Sequence, residues 1–217
     1  METFLPPTSP QTEACVWILD DEPALCDSLA WLVSTVGLKA RTFTQLEPFW
    51  AAFDAQHPAC VLLDIRLPQV NGLDVLSVLQ QRHPEVPVLM MSGHADVGLA
   101  VTALKKGARD FFEKPMSDQA LIDAIHQALA AHQASLEAAE AVTELRQRYA
   151  QLTAREQEVM QWLVAGHPSK RIADQLQISV KTVDVHRHHI LSKMQAQHLA
   201  ALIHQAYRLG LVSTLPS

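Results

Sequence analysis

Residues 14–116 alternate between short apolar runs and longer stretches with apolar residues at helical spacing. Cys15–Leu19 (CVWIL) is apolar and ends in acids. Ala24–Val36 carries Leu25, Leu29, Leu32, Val33 and Val36 at helical spacing, and Gly37 can close that helix. Ala40–Phe43 predicts a weak strand, and Gln45–Ala55 a helix with Leu46, Phe49, Trp50 and Phe53 on one side. Cys60–Leu63 predicts a strand running into Asp64, and Leu73–Gln81 a helix after the turn Asn71-Gly72. Val86–Met91 predicts a strand, Val97–Lys106 a helix capped by Gly107, and Asp110–Phe112 a short strand before Lys114-Pro115. Five such strand–helix units predict a parallel sheet covered on both faces. Right-handed crossovers then gather the strand C-termini on one rim, where ligands bind in such folds.

From Ser117 to Leu152 there is no glycine and no proline, and Ile125, Leu129, Leu136, Val142, Leu145 and Tyr149 fall near one stripe. This predicts one long helix leaving the first domain. His132 and Thr143 interrupt the seam that a coiled coil would need. The tail predicts four helices. Thr153-Ala-Arg-Glu156 is a capping-box pattern, Gly166 ends the first helix, and Pro168 suits the first turn of the second. Ser179 can cap a third helix reaching Met194, and a fourth runs from His198 to Leu209.

The 217 residues are 48% hydrophobic and 18% charged, enough apolar residues for packed cores. No apolar run approaches the ~18 residues of a membrane span, so no membrane partner is expected. Residues 1–13, with Pro6, Pro7 and Pro10, read as a loose leader without secretory features. Cys15, Cys26 and Cys60 fit no metal or redox spacing, which predicts buried thiols in a reducing cytoplasm. The formal charge of −6 divides unevenly. Residues 1–151 carry −9, and residues 152–217 carry +3 with 6 of the 11 histidines. An acidic front can hold a cation, and a basic tail can approach phosphates.

Asp20, Asp21 and Asp64 each fall at the C-terminal end of a predicted strand. Converging carboxylates repel, and an oxygen-only set favours Mg2+. Ser92 ends the fourth strand and Lys114 follows the fifth. Together these parts suit a carboxylate nucleophile that accepts a phosphoryl group, with its charge offset by metal, ammonium and hydroxyl. The stretches Ile18-Leu-Asp-Asp-Glu-Pro23, Leu62-Leu-Asp-Ile-Arg-Leu-Pro68, Gly72, Met91-Ser-Gly-His94 and Asp110-Phe-Phe-Glu-Lys-Pro115 resemble the receiver domain of bacterial two-component response regulators. That resemblance implies Asp64 as phosphoacceptor and Mg2+ held by Asp21, Asp64 and the Arg66 carbonyl, with Asp20 acting through metal-bound water. It implies Ser92 and Phe111 as a switch pair and Lys114 as the phosphate-sensing lysine. Arg66 and His94 would tune phosphoryl lifetime or simply face water.

In the tail, a helix, a short turn at Gln177-Ile178-Ser179 and a longer helix follow helix-turn-helix grammar. At 100° per residue, Val183, His186, Ile190 and Met194 share one side of the third helix, while Lys181, Val185, His188 and Ser192 share the other. The first side suits the tail's own core and the second a major groove. Lys170, Arg171, Lys181, Arg187 and Lys193 are candidates for phosphate contacts. His186 is expected to be a packed, hydrogen-bonded core histidine; a metal site at His186, His188 and His189 is disfavoured, since His186 and His189 point apart by about 60° and no Cys or carboxylate frame accompanies them. The residues Leu152-Thr-x-Arg-Glu-x-Glu-Val159, Gly166, Lys170-x-Ile-Ala173, Leu176, Ile178-Ser179, Thr182-Val183, His186, Ile190 and Lys193-Met194 resemble the LuxR-type helix-turn-helix. With the receiver in front, the chain resembles the NarL/FixJ family, nearer the FixJ branch. The resemblance implies that Lys181, Val185 and His188 face DNA, with Thr182 and Arg187 near its backbone, and Ser179 is a further candidate DNA-binding residue. Asp184 is acidic where several members place lysine, so it either reads a cytosine amino group or weakens binding. Gly98 and Met116 stand where FixJ-like chains often have proline and phenylalanine.

The resulting expectation is an α/β receiver domain over residues 14–130, a doubly wound, five-stranded, flavodoxin- or CheY-like parallel sheet. A helical linker over 131–151 and an all-α, four-helix LuxR-type domain over 152–214 follow it. Its partners would be a sensor histidine kinase, double-stranded DNA, RNA polymerase and, once phosphorylated, a second copy. The competing readings are a Mg2+-dependent phosphohydrolase using Asp64 as nucleophile, and a DNA binder indifferent to phosphorylation.

Overall fold

The computed structural model describes residues 14–94 and 97–212. The proline-bearing leader lies outside them, as do residues 213–217. The chain divides into two compact units, one up to Glu137 and one from Ala138 onward. The first runs β1 (Cys15–Leu19), α1 (Pro23–Thr35), β2 (Lys39–Phe43), α2 (Leu46–Ala52), β3 (Ala59–Asp64), α3 (Gly72–Arg82), β4 (Val88–Ser92), α4 (Val97–Lys105), β5 (Asp110–Glu113) and the start of α5 (Asp118–Ala150). The strands are all parallel, in the order β2-β1-β3-β4-β5.

Side chains alternate across a strand, so each buried strand feeds two cores. Trp17, Leu19, Val61, Leu63, Val88 and Met90 pack with Phe49 of α2, with Val75, Leu76 and Leu79 of α3, and with Ala103 of α4. Val16, Ile18, Cys60, Leu62, Leu89 and Met91 pack with Cys26, Leu29 and Val33 of α1 and with Leu121, Ile125 and Leu129 of α5. This is the doubly wound sheet that the apolar runs predict. Helix α2 stops three residues short of the expected end. Phe53 leaves the helix with extended backbone (φ −64°, ψ 126°). Its ring then stacks on Phe49 and meets the edge of Trp17, at centroid distances of 5.2 and 5.1 Å. Cys26 and Cys60 are buried free thiols and Cys15 is half-buried. Burial pushes the Cys26 thiol up to about 11 and the Cys60 thiol higher still, so both stay protonated and unreactive.

His132 on α5 is fully buried. Its Nδ1 accepts the Ala59 N–H at 2.9 Å, tying the helix to the first residue of β3, and its Nε2 has no partner. Burial holds the ring below its ordinary pKa, against a weaker upward pull from Glu85 and alongside a downward push from His83. The unfolded chain therefore binds this proton more readily than the folded one. The contribution of His132 is complete above the unfolded value of 6.5 and is lost as pH falls from there. His132→Gln offers the same N–H an acceptor that does not titrate. In urea unfolding, the wild type should lose stability below about pH 6.5 more steeply than this variant; equal slopes would dismiss the effect.

The second unit contains the last turns of α5 and four further helices, α6 (Ala154–Val164), α7 (Ser169–Leu176), α8 (Val180–Lys193) and α9 (Leu199–Arg208). Residues 131–150, within the stretch expected as a helical linker, belong to the single helix α5, and the division between the units falls at Glu137. Leu145 is buried and Tyr149 packs in a core with Leu152, Val159, Leu163, Ile172, Val183, Ile190 and Leu202. The Arg208 guanidinium also donates to the Ala138 carbonyl at 3.4 Å. The Thr153–Glu156 capping box is formed as predicted. Pro168 is the residue before α7 rather than in its first turn, where its missing N–H is equally harmless. No helix among the described residues is long and apolar enough to cross a membrane.

Candidate functional site

Strand β3 is central, and its neighbours β1 and β4 flank its C-terminus. In register, Leu19 pairs with Leu63, so Asp20 and Asp64 leave the sheet at one level. Ser92 ends β4 opposite Glu113, the last residue of β5, which places Lys114 on the same rim. The Lys114 N–H donates to the Ser92 carbonyl at 2.8 Å and locks the two strand ends together.

Lys114 Nζ donates to Asp20 Oδ2 and Asp64 Oδ1, both at 2.6 Å. The other carboxylate oxygens are held by backbone. Asp20 Oδ1 accepts the Glu22 N–H at 3.0 Å, and Asp64 Oδ2 accepts the Arg66 N–H at 2.6 Å. Asp20 and Asp64 are buried. One ammonium thus serves two desolvated carboxylates, and one negative charge remains uncompensated. Burial raises the Asp64 pKa; Lys114 lowers it but is shared, and the Asp20 charge raises it again. Burial alone would depress Lys114, but its bonds to Asp20 and Asp64 outweigh that and raise it.

Gly72, the first residue of α3, lies against the exit of β3. Its N–H donates to the Ile65 carbonyl at 2.8 Å, and Arg66 bridges to Asn71. Asn71 caps α3 through the Leu73 N–H. A Cβ on Gly72 would stand 2.1 Å from the Asp64 carbonyl oxygen. The sequence marks Asn71-Gly72 as a turn, but the glycine is required for close approach rather than for a left-handed backbone.

Asp21 is exposed and lines a cavity of about 320 Å3 with Thr44, Gln45, Leu67 and Gln69. Among the described residues, no group of three or more His, Cys, Asp or Glu side chains is placed to hold a metal by itself. Of the three carboxylates expected on this rim, Asp20 and Asp64 are joined through Lys114. Mg2+ does not require a third, since it takes one or two carboxylates and keeps several waters. Ser92 is fully buried, and its hydroxyl bonds the His94 carbonyl at 3.0 Å while accepting the His94 N–H at 3.2 Å. Phe111 is half-buried on the same sheet face as Ser92 and pairs with Met90. Arg66 and His94 are exposed.

In the second unit, α7 ends on Gln177 in the left-handed region (φ 53°), and the Ile178 N–H returns to the Ala173 carbonyl. The Ser179 hydroxyl then caps α8 through the Thr182 N–H at 3.0 Å. Arg155 of α6 donates to the Leu176 carbonyl and so holds the turn from behind. The two sides of α8 separate as their periodicity predicts. Val183, Ile190 and Met194 are fully buried, whereas Lys181, Val185 and His188 are exposed. Lys170 and Arg171 are exposed, and Thr182 and Arg187 are partly so. Lys193 is engaged within the unit. Its Nζ donates to Glu156 Oε2 at 2.6 Å, with the exposed His189 3.7 Å from the other oxygen. Burial would raise the Glu156 pKa, but Lys193 and the Thr153 hydrogen bonds outweigh it and lower it. The capping pattern identifies Glu156 but not this second role, because the crossing of α6 and α8 is invisible along the chain. His186 is packed, but its buried Nδ1 has no hydrogen-bond partner, contrary to expectation.

Residues 16–126 match the response regulator receiver domain, and residues 150–206 match the bacterial regulatory proteins of the luxR family. The chain is 37% identical over 194 residues to the response regulator protein TodT of Pseudomonas putida, covering 89% of this chain and 86% of that one. It is 34% identical over 202 residues to the transcriptional regulatory protein FixJ of Bradyrhizobium diazoefficiens, covering 93% and 98%. The solved structure of the response regulator StyR overlays with a TM-score of 0.81 at 33% identity, covering 90% of this chain and 99% of that one. A receiver fold with paired rim carboxylates, joined to a LuxR-type helix-turn-helix, makes this chain a response regulator of the NarL/FixJ family.

Proposed function

We propose that Asp64 is the phosphoacceptor through which a sensor histidine kinase switches DNA binding by this chain. The observation that carries this reading is the Asp20–Lys114–Asp64 cluster at the C-terminal rim of the sheet. A carboxylate oxygen of Asp64 attacks the phosphorus of a phosphohistidine; the P–N bond breaks, and the imidazole leaves with a proton. Lys114 is already within reach of the carboxylate and can follow the charge onto the phosphoryl oxygens. Ser92 can turn its hydroxyl from the His94 carbonyl to the same oxygens, and Phe111, on its face of the sheet, would move with it.

The donor set and residual negative charge fit Mg2+, which Asp21, Asp64 and the Arg66 carbonyl would hold, with Asp20 acting through water. When bound, the metal offsets charge on the transferring phosphoryl group. Lys181, Val185 and His188 are assigned to base edges, with exposed Val185 suited to a thymine methyl group. Lys170, Arg171, Ser179, Thr182 and Arg187 are assigned to the backbone of double-stranded DNA. Lys193 could serve there only by giving up Glu156. Phosphorylation favours a homodimer on two half-sites, which acts with RNA polymerase in the cytoplasm.

Incubation with a small phosphodonor and Mg2+ should label the wild type and raise its affinity for its DNA site. Asp64→Asn should abolish both effects. Equal labelling of the variant would overturn the assignment. Unchanged DNA affinity would mark a regulator indifferent to phosphorylation. Multiple turnover on phosphomonoesters would place the chain with the phosphohydrolases instead.

A further inference from the structure

Asp184 is the acidic residue on α8 that the DNA-reading role leaves unexplained. It lies about 100° from Val183 on the buried side and about 100° from Val185 on the exposed side, so it flanks the reading face. A carboxylate there repels phosphates unless it does something else. Its Oδ1 accepts the Ser169 hydroxyl at 3.1 Å. Ser169 is the first residue of α7, whose preceding Pro168 supplies no side-chain cap. The carboxylate therefore lies at the positive end of the α7 dipole, where negative charge is favourable. Lys170 and Arg171 follow Ser169 directly, whereas Lys181, Val185 and His188 ride on the helix that carries Asp184.

We propose that Asp184 is a positioning residue rather than a base reader. By holding the first turn of α7 to α8, it fixes the angle between the two phosphate-binding cations of α7 and the reading face of α8. One carboxylate oxygen is committed to that brace, which leaves a poor geometry for accepting from a base amino group. The inference rests on the DNA-binding role of the second unit and assigns one further residue within it.

The test is a double-mutant cycle in the full-length chain. Random-sequence selection with the wild type first supplies the site; failure to recover any site would count against the DNA-binding assignments themselves. Affinities are then measured for that site and its single-base variants at fixed salt, with thermal unfolding as the control for folding. Asp184→Ala and Ser169→Ala should each lower affinity by about 3- to 10-fold, the range of one ordinary hydrogen bond. The losses should be uniform across sequences. The double variant should lose no more than either single, and Asp184→Asn, which can still accept from Ser169, should restore near-wild-type binding. Relaxed preference at one base pair in Asp184→Ala alone would identify a base reader and overturn the brace. Additive losses, or tighter binding by Asp184→Ala with Ser169→Ala neutral, would overturn it as well.

Discussion

Replacement of Lys114 by methionine is expected to cost the receiver half about 3 kcal/mol at neutral pH without divalent cations, the low end of the range for breaking a buried pair. Lys114 Nζ neutralises two carboxylates that are both nearly inaccessible, and its side chain is 15% exposed, so solvent can relieve part of the deficit. The sign with pH follows from Asp64. Its folded pKa already exceeds the ordinary value, chiefly through burial. Protonation therefore favours the folded form, and the associated stability is lost as pH rises through the folded pKa. Removal of the ammonium raises the Asp64 pKa further, so the deficit of Lys114→Met should shrink under acid. It should also shrink in millimolar Mg2+, and in the double variant carrying Asp64→Asn. Urea unfolding at neutral and acid pH, with and without Mg2+, measures all three effects. A variant as stable as the wild type in metal-free neutral buffer would show that Lys114 is not the counter-charge of this cluster.

Gly72→Ala should be the most damaging single-methyl change in the receiver half. The added Cβ would meet the Asp64 carbonyl oxygen at 2.1 Å and the Ile65 Cα at 2.8 Å, both of them main-chain atoms of β3 and its exit. No rotamer can relieve that overlap. Helix α3 must withdraw and strain the Gly72–Ile65 hydrogen bond. At least about 3 kcal/mol is expected, the upper end of ordinary overpacking costs. The Arg66 N–H that holds Asp64 Oδ2 lies in the same loop, so phosphoryl incorporation should slow as well. A melting temperature and a labelling rate both equal to wild type would contradict the close approach.

The sheet was legible because its signal is local. An apolar run such as Cys60–Leu63 can only be a buried strand when helices of 3.6 period flank it, and Asp64 follows as the first polar residue on the rim. Pairing of Asp20, Asp64 and Lys114 across 94 residues was readable only because parallel strands deliver their ends to one rim. What escaped were contacts between elements. His132 looked like a blemish in a helical stripe, yet it holds the first residue of β3. Lys193 reads along the chain only as a cation for DNA, and its pairing with Glu156 depends on the crossing of α6 and α8. Asp20 and Asp21 are adjacent, yet Asp20 is buried against Lys114 and Asp21 is exposed, a difference that strand-end position alone does not reveal.

The seam between the two compact halves falls inside α5, with Leu145 and Tyr149 beyond it serving the helical core. Cleavage of the chain at residue 152 would strip that core of a wall and leave apolar surface open to water and aggregation. A stable DNA-reading fragment must instead keep some four helical turns ahead of Thr153, starting near Ala138. Those turns cover part of the helix-turn-helix unit while belonging to the same unbroken helix as the receiver's last, so one element contributes structure to both halves.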